Sequence, residues 1–533
     1  MNDHTTQISA FSPKKIMGTR KSCITSKLAM MVIGLGFVLA CTGCSTSNAF
    51  TPTGNPLLDL RNPELLERDR VQAAEQAWDE VERGVRVRER TRKALKNLAW
   101  SNATTPTLRL TVLELLMSDV SVEGSEDSRA MARLLLPTER SPDAVRIMAQ
   151  RAVDSGWTEM VPALVRSYAR VNPNVPDAKR IERAALEALV PNTDIDRIVF
   201  EVFLNPSQGL GDAREQAVLR LSQRTRDDAW GLISRLDPSG VVRRMVIDSP
   251  IALDAESSSR EMIQDLRAAI TELGIVPDTA MEIQWLTNLR RHPDKRNQRL
   301  NTQWWNQTAQ VVAGLGVQQR DGLAIRHLEP IRWASVNRPA WLSLDRDALY
   351  GVASERLGRR THHKRKSQKG ENRRLERLRD WDAYLGWGDL LTILVVDDAL
   401  AQRSVVDQVF QQRTLDKKDT TTEYGGVIEY DAETGYRAVL YRPRSRDRVN
   451  DKRFVASDDM FRFSDRSLIH YHLHANKRNN NKFAGPSLAD LINAGQSGRT
   501  NLVFTSLGKD DLNVDVYFPN GVVIDLGQII QEK

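Results

Sequence analysis

The chain has 533 residues, of which 41% are hydrophobic, and it carries a net charge of +7 at pH 7. This basic balance, with a pI near 9.2, favours an anionic partner such as acidic lipid, a polyanionic envelope polymer or an acidic protein. The three cysteines, Cys23, Cys41 and Cys44, all lie in or beside an N-terminal apolar segment. The rest of the chain therefore forms no disulfide, and any metal site there must use His, Asp or Glu.

The N-terminus has the pattern of a secretory signal. Lysines and arginines precede the apolar run Leu28–Ala40, which is shorter than the roughly twenty residues that a spanning helix needs. The cysteine after small residues at its end resembles a bacterial lipoprotein signal, in which that cysteine is lipidated and becomes the first mature residue. We predict a signal peptide over residues 1–43 and lipidation of Cys44. Cys41 is the alternative, and Met17 is an alternative start.

This resemblance implies a place in the cell envelope. It predicts a lipoprotein anchored to a membrane, on the periplasmic side, with the choice of inner or outer membrane left open. Residues 44–63 are rich in Ser, Thr, Asn and Pro and predict a tether. Export disfavours nucleic acid as the partner of the basic charge.

Helical periodicity extends over residues 64–358. Within it, Arg151-Ala152-Val153, Ala184-Ala185-Leu186 and Ala217-Val218-Leu219 recur at 33-residue intervals, each in a helix followed by a turn and a second helix. Such a period predicts an all-α solenoid of HEAT-like type, and an irregular helical domain is the alternative. Because solenoids offer extended concave surfaces, we expect a protein partner here. The second helices of the three pairs are predicted over Met160–Tyr168, Ile195–Leu204 and Ala229–Leu236. We expect a set of tryptophans to pack in the core between helices, namely Trp285, Trp304, Trp305, Trp333 and Trp341.

Residues 359–384 form a basic linker in this interpretation. Ten lysines or arginines lie between Arg359 and Arg379. This segment is a candidate contact for anionic lipid or an acidic partner, and a solvated linker is the alternative. His362 and His363 lie in it without a carboxylate close in sequence, so we do not expect them to bind metal.

The C-terminal region, residues 385–533, changes from helical to strand patterns. It opens with the apolar run Leu390–Val396 and a helix over Ser404–Arg413, and a short helix is predicted over Leu488–Ala494. Alternation and turn residues predict six strands. These are Gly426–Tyr430, Tyr436–Tyr441, Ser467–His474, Asn501–Thr505, Val514–Phe518 and Val522–Leu526.

Three histidines, His470, His472 and His474, lie on the third predicted strand. Since residues at i and i+2 of a strand point to one face, His472 and His474 can converge on one ion through neutral imidazoles. Asp490, in the helix that follows, is the candidate third ligand.

This segment resembles the JAMM (JAB1/MPN/Mov34) metallopeptidases over roughly residues 385–530. Glu423-Tyr424-Gly425-Gly426 resembles the family's Glu-containing strand entry, Tyr471–His474 its His-x-His segment, and Ser487-Leu488-Ala489-Asp490 its Ser-x-x-Asp segment. The resemblance implies an α/β domain with a mixed sheet and one Zn²⁺ held by His472, His474 and Asp490. It further implies Glu423 as general base and Ser487 as a stabiliser of the oxyanion. Where the family has Pro after the second His, this chain has Ala475, and thirteen positions separate His474 from Ser487.

The resulting hypothesis is a multidomain, lipid-anchored, zinc-dependent peptidase or isopeptidase that acts on an envelope polypeptide or peptide. Glu429 is the second choice for the base, and His470 is expected to support the metal ligands or to have a structural role. The alternative is a non-catalytic scaffold lipoprotein that binds partners through the solenoid and keeps a vestigial JAMM-like domain.

Overall fold

The computed structural model describes residues 51–531 apart from 102, 209–214, 254, 256, 364–375, 449, 451–452 and 478. The predicted signal peptide, both candidate lipidation cysteines and the first part of the tether lie outside these residues. So do residues 364–375 of the basic linker. Within the described residues, no helix is both long enough and apolar enough to cross a membrane.

In the described residues, the α-helices that precede the first strand lie between residues 56 and 416, and two more lie between strands. The α-helices of the described residues are α1 Pro56–Asp59, α2 Glu67–Glu82, α3 Arg88–Trp100, α4 Pro106–Ser118, α5 Val122–Leu135, α6 Pro142–Asp154, α7 Val161–Ala169, α8 Ile181–Leu189, α9 Ile195–Leu204, α10 Glu215–Leu236, α11 Val241–Asp248, α12 Ser257–Ala268, α13 Ala280–Arg291, α14 Lys295–Ala313, α15 Val317–Arg320, α16 Leu328–Asn337, α17 Arg346–Gly358, α18 Trp387–Leu400, α19 Arg403–Asp416, α20 Asp458–Phe463 and α21 Leu488–Ser497.

The first two predicted helix pairs are present, as α6 with α7 and α8 with α9. The third pair is wrong, because the two helices expected around residues 217–236 form the single helix α10. Residues 220–228 contain neither Gly nor Pro, so no residue there ends a helix. The 33-residue interval therefore does not continue as a repeated pair of helices beyond α9.

Six strands form one mixed sheet: β1 Gly425–Asp431, β2 Gly435–Tyr441, β3 Ile469–His474, β4 Asn501–Ser506, β5 Asp511–Tyr517 and β6 Val523–Ile530. Their order in the sheet is β2-β1-β3-β4-β5-β6. The bounds of the strands confirm all six predicted strands to within a few residues. Neighbours are antiparallel except β3 and β4, which are parallel and joined by a crossover that contains α21. The β5–β6 hairpin turns at Gly521, whose φ of +81° suits glycine.

Two helices, α18 and α19, precede the strands in the C-terminal region. The apolar run Leu390–Val396 lies in α18, every residue of which is buried. This helix packs against α16 and α17, whereas α19 packs on β2. One cluster of buried hydrophobic residues extends from Leu57 to Ile529, so the helices and the sheet share a continuous core.

Candidate metal centre

Strand β3 brings the two predicted histidine ligands together. His472 and His474 lie on the same face, and their Nε2 atoms are 3.2 Å apart. Two nitrogens at about 2.1 Å from a tetrahedral zinc ion would be about 3.4 Å apart. The two imidazoles are therefore arranged as a pair of ligands to one ion.

The second nitrogen of each ring has its own partner. His474 Nδ1 lies 2.8 Å from the Phe483 carbonyl oxygen, to which it donates, and His472 Nδ1 lies 3.5 Å from Tyr517 Oη. The proton on His474 Nδ1 leaves the lone pair of that ring on Nε2, which is the arrangement of metal-binding histidines in proteins. The spacing of the two Nε2 atoms thus fits a metal ion, and the tautomer of His474 fits it as well.

Glu423 completes the group of convergent side chains. Gly425 pairs with His472 in the β1–β3 register, and the amide of Leu473 donates to the Tyr424 carbonyl at 2.9 Å. This register places Glu423 beside His474. One ligand atom from each of Glu423, His472 and His474 lies within 4.8 Å of the others. That spacing accommodates Glu423 both as a direct ligand and as a base that acts through one water.

Asp490 also approaches His472 Nε2, although it is not one of those three residues. Its Oδ2 atom is 3.6 Å from His472 Nε2. A capping box fixes the carboxyl, since the Ser487 amide donates to Asp490 Oδ2 at 2.7 Å and Ser487 Oγ accepts from the Asp490 amide at 3.3 Å. Ser487 is exposed at the start of α21. Ser487 therefore caps α21, in addition to the role in oxyanion stabilisation that the sequence predicts.

The charges around His472 favour a cation. Burial alone would lower the pKa of His472, but the Asp490 carboxylate, with smaller effects from the charges of Glu423 and Asp416, raises that pKa. Burial would likewise raise the pKa of Asp490, but the charge and hydrogen bond of His472 lower it. Burial, with the charges of Asp490 and Glu423, raises the pKa of Tyr517 well above its ordinary value, so the phenol keeps its proton.

Phe454 is a site residue that the sequence did not indicate. Its ring stacks on His472 with centroids 5.4 Å apart and planes 7° apart. A Cβ atom at Gly425 would lie 2.5 Å from the Phe454 ring and 2.6 Å from the Tyr471 carbonyl oxygen. Only glycine therefore lets β1, the Phe454 ring and β3 pack together, which gives a physical reason for the glycine after Glu423.

Comparison with known proteins gives no assignment. No protein-family model, no curated protein and no solved structure matches this chain. The residues and geometry of the site are therefore the basis for its function.

The remaining candidates lie away from this centre. His470 is buried, and its Nε2 atom lies 2.8 Å from Ser464 Oγ and 3.1 Å from Arg499 Nη1. Glu429, the second choice for the base, accepts from Arg437 Nε at 2.8 Å across the β1–β2 pair.

His362 has a carboxylate neighbour that sequence proximity did not show. Its Nδ1 atom lies 3.1 Å from Asp525 Oδ2 on β6. Residues on both sides of 364–375 also contact this strand. The Thr361 carbonyl accepts from the Gln528 amide, and the Glu376 carbonyl accepts from the Asp525 amide, each at 2.8 Å. The basic linker is thus attached to β6 at two points.

Proposed function

We propose that this protein is a zinc-dependent amide hydrolase, a peptidase or isopeptidase of JAMM-like type. The observation that carries the proposal is the 3.2 Å approach of the Nε2 atoms of His472 and His474, with the carboxyls of Glu423 and Asp490 beside them. Two imidazoles, one carboxylate and an open position are the donor set of catalytic zinc sites. His472, His474 and Asp490 would hold the ion, and Glu423 would remain for proton transfer.

The chemistry divides among the protein groups as follows. A bound zinc ion polarises carbonyls and lowers the pKa of water to about 7. The Glu423 carboxylate accepts the proton that water loses as its oxygen bonds to the amide carbon. When the carbon–nitrogen bond breaks, the protonated Glu423 carboxyl gives that proton to the leaving amine. Ser487 Oγ accepts from the Asp490 amide, so its hydroxyl hydrogen is available to donate to the developing oxyanion.

The basic rim of the site supports an anionic peptide as the substrate. Arg453 and Lys482 are exposed, and each directly precedes a phenylalanine that contacts a metal-site histidine, Phe454 or Phe483. Exposed cations beside a cleft raise the local concentration of anionic ligands. We expect peptides with acidic residues beside the scissile bond to be cleaved faster than neutral or basic ones, and salt to reduce this preference.

The rest of the chain gives this activity its setting in the proposal. A lipid on Cys44 would hold the enzyme at the periplasmic side of an envelope membrane, where envelope polypeptides or peptides are the available substrates. The helical region, interpreted as HEAT-like, would bind a protein partner. A non-catalytic scaffold lipoprotein is the alternative.

The test separates metal binding from chemistry. Glu423→Gln keeps the shape of the side chain but removes the proton acceptor, so zinc content should stay near wild type while hydrolysis of a peptide library falls roughly 10²–10⁴-fold. Asp490→Ala should lose both zinc and activity. Glu429→Gln is the matched control and should change neither.

Each outcome favours one of the alternatives. Wild-type protein that binds zinc but shows no Glu423-dependent cleavage supports the scaffold. Loss of zinc in Glu423→Gln would make Glu423 a ligand instead of the base. Protein that binds no zinc would refute the proposal.

A further inference from the structure

Helix α13 of the helical region contacts α21 and the residues that lead into β3. A Cβ atom at Gly498 would overlap the carboxyl of Glu282, which lies in the first turn of α13. Gly498 has φ +67° and ends α21, the helix that begins at Asp490's capping box. One turn further along α13, Trp285 Nε1 donates to the Asp465 carbonyl oxygen at 2.8 Å, four residues before β3 begins.

Arg499 connects these contacts to the strand that carries the histidines. Its guanidinium carbon lies 3.7 Å from the centroid of the Trp285 ring, and its Nη1 atom donates to His470 Nε2 at 3.1 Å. Burial lowers the pKa of Arg499 to about 10, so it stays charged at neutral pH.

The position of the contact matters for the metal centre. His470 is two residues before His472 on the same face of β3, and Arg499 directly follows the residue that ends α21. A displacement at Arg499 therefore reaches both His472 and Asp490. Mutation of the groups that hold metal ligands in place typically lowers metal affinity by about 10–100-fold.

We propose that α13 is a positioning element of the metal centre, and that Trp285 and Arg499 are the positioning residues that set β3 against α21. This inference rests on the proposed function, because it concerns the geometry of the same zinc site. It assigns the helical region a part in zinc binding, in addition to any surface that it offers to a partner.

The experiment measures zinc affinity separately from stability in the full chain. Trp285→Leu removes the ring under Arg499 and the donor to Asp465. Trp157→Leu is the matched control, since Trp157 is equally buried, at 6% exposure, and also lies under an arginine, Arg151, at 5.4 Å. Zinc dissociation constants are obtained by competition with a chromophoric chelator, and unfolding of the zinc-free proteins is followed in denaturant.

We expect Trp285→Leu to weaken zinc binding by about 10–100-fold and to change the absorption spectrum of the cobalt-substituted protein. Trp157→Leu should lose comparable stability but keep wild-type affinity and spectrum. If Trp285→Leu does not fold, Trp285→Phe and Arg499→Lys replace it. Trp285→Phe keeps an aromatic ring but loses the donor to the Asp465 carbonyl, and Arg499→Lys keeps the charge but loses the planar guanidinium.

The possible failures can be told apart. Folded variants at Trp285 and Arg499 with wild-type zinc affinity and cobalt spectrum would overturn this inference and leave the proposed function intact. An equal loss of affinity in Trp157→Leu would also overturn it, because the effect would then be general destabilisation. Wild-type protein without zinc binding would overturn both proposals together.

Discussion

Replacement of Glu282 by glutamine should change how stability depends on pH. The Glu282 side chain is 1% exposed, and its Oε2 atom accepts from the amides of Asp278 and Thr279 at 2.7 and 3.0 Å. Burial, with the nearby Asp278 charge, raises the pKa of Glu282 to about 7 from 4.5, although the Arg326 charge opposes the shift. The charge of Arg499 also interacts with Glu282.

The sign follows from which state binds the proton more tightly. Between pH 4.5 and about 7 the folded protein holds a proton on Glu282 that the unfolded chain releases. The contribution of Glu282 to the free energy of unfolding is therefore most favourable below this window and falls as pH rises through it. A shift of about 2.5 pKa units corresponds to roughly 3 kcal/mol. Glu282→Gln, which stays neutral and can still accept from both amides, should lack this loss.

The assay is urea unfolding of the full chain at intervals from pH 4.5 to 8. Groups shared by wild type and variant cancel in the difference between the two curves, so that difference should change by up to about 3 kcal/mol in favour of the variant as pH rises. Glu182→Gln is the control. Burial would raise the pKa of Glu182, but hydrogen bonds from Arg180 lower it, so that carboxyl stays ionised and its difference curve should be flat. Parallel curves for wild type and Glu282→Gln would refute the reasoning.

Four further outcomes are expected. Gly425→Ala should weaken zinc binding measured by competition, because its Cβ atom meets the Phe454 ring at 2.5 Å, and unchanged affinity would show that the stack does not support His472. Tyr517→Phe should weaken zinc binding by about tenfold through loss of the partner of His472 Nδ1, and it should leave the fold intact by circular dichroism. Removing zinc with a chelator should lower the midpoint of thermal unfolding, since an ion at a hundred times its dissociation constant stabilises by about 2.7 kcal/mol. Radiolabelled lipid should be incorporated in wild type and Cys41→Ser but not in Cys44→Ser, and the reverse pattern would move the modified residue to Cys41.

The local part of the site was predictable from sequence. Two-residue spacing on one strand is enough to bring His472 and His474 to one face, and the Ser-x-x-Asp pattern is itself a capping sequence that fixes Asp490 at the start of α21. The six strands were also predicted, since alternation and turn residues are local signals. What failed has a local cause as well. A third pair of helices was predicted where residues 220–228, which contain neither Gly nor Pro, continue as the single helix α10.

The parts that could not be predicted depend on contacts between distant segments. Phe454 reaches His472 from a loop, and no periodicity marks it. Trp285 and Arg499 are separated by more than two hundred positions, and each by itself resembles an ordinary core or surface residue. Their contact appears only when the helices and the sheet are packed together, so sequence patterns treated these two regions as independent.

Because β3 and β4 are parallel, the segment that joins them can vary in length beside the metal centre. A parallel neighbour requires a long connection that leaves the sheet and returns to its starting edge, whatever lies between. Here that connection holds both the extended loop after His474 and α21, while Asn480 fixes the loop by donating from Nδ2 to the His474 carbonyl at 2.8 Å. Residues added before Ser487 are therefore taken up outside the sheet. Insertions at this point can change the surface beside the metal centre without changing the order of the strands.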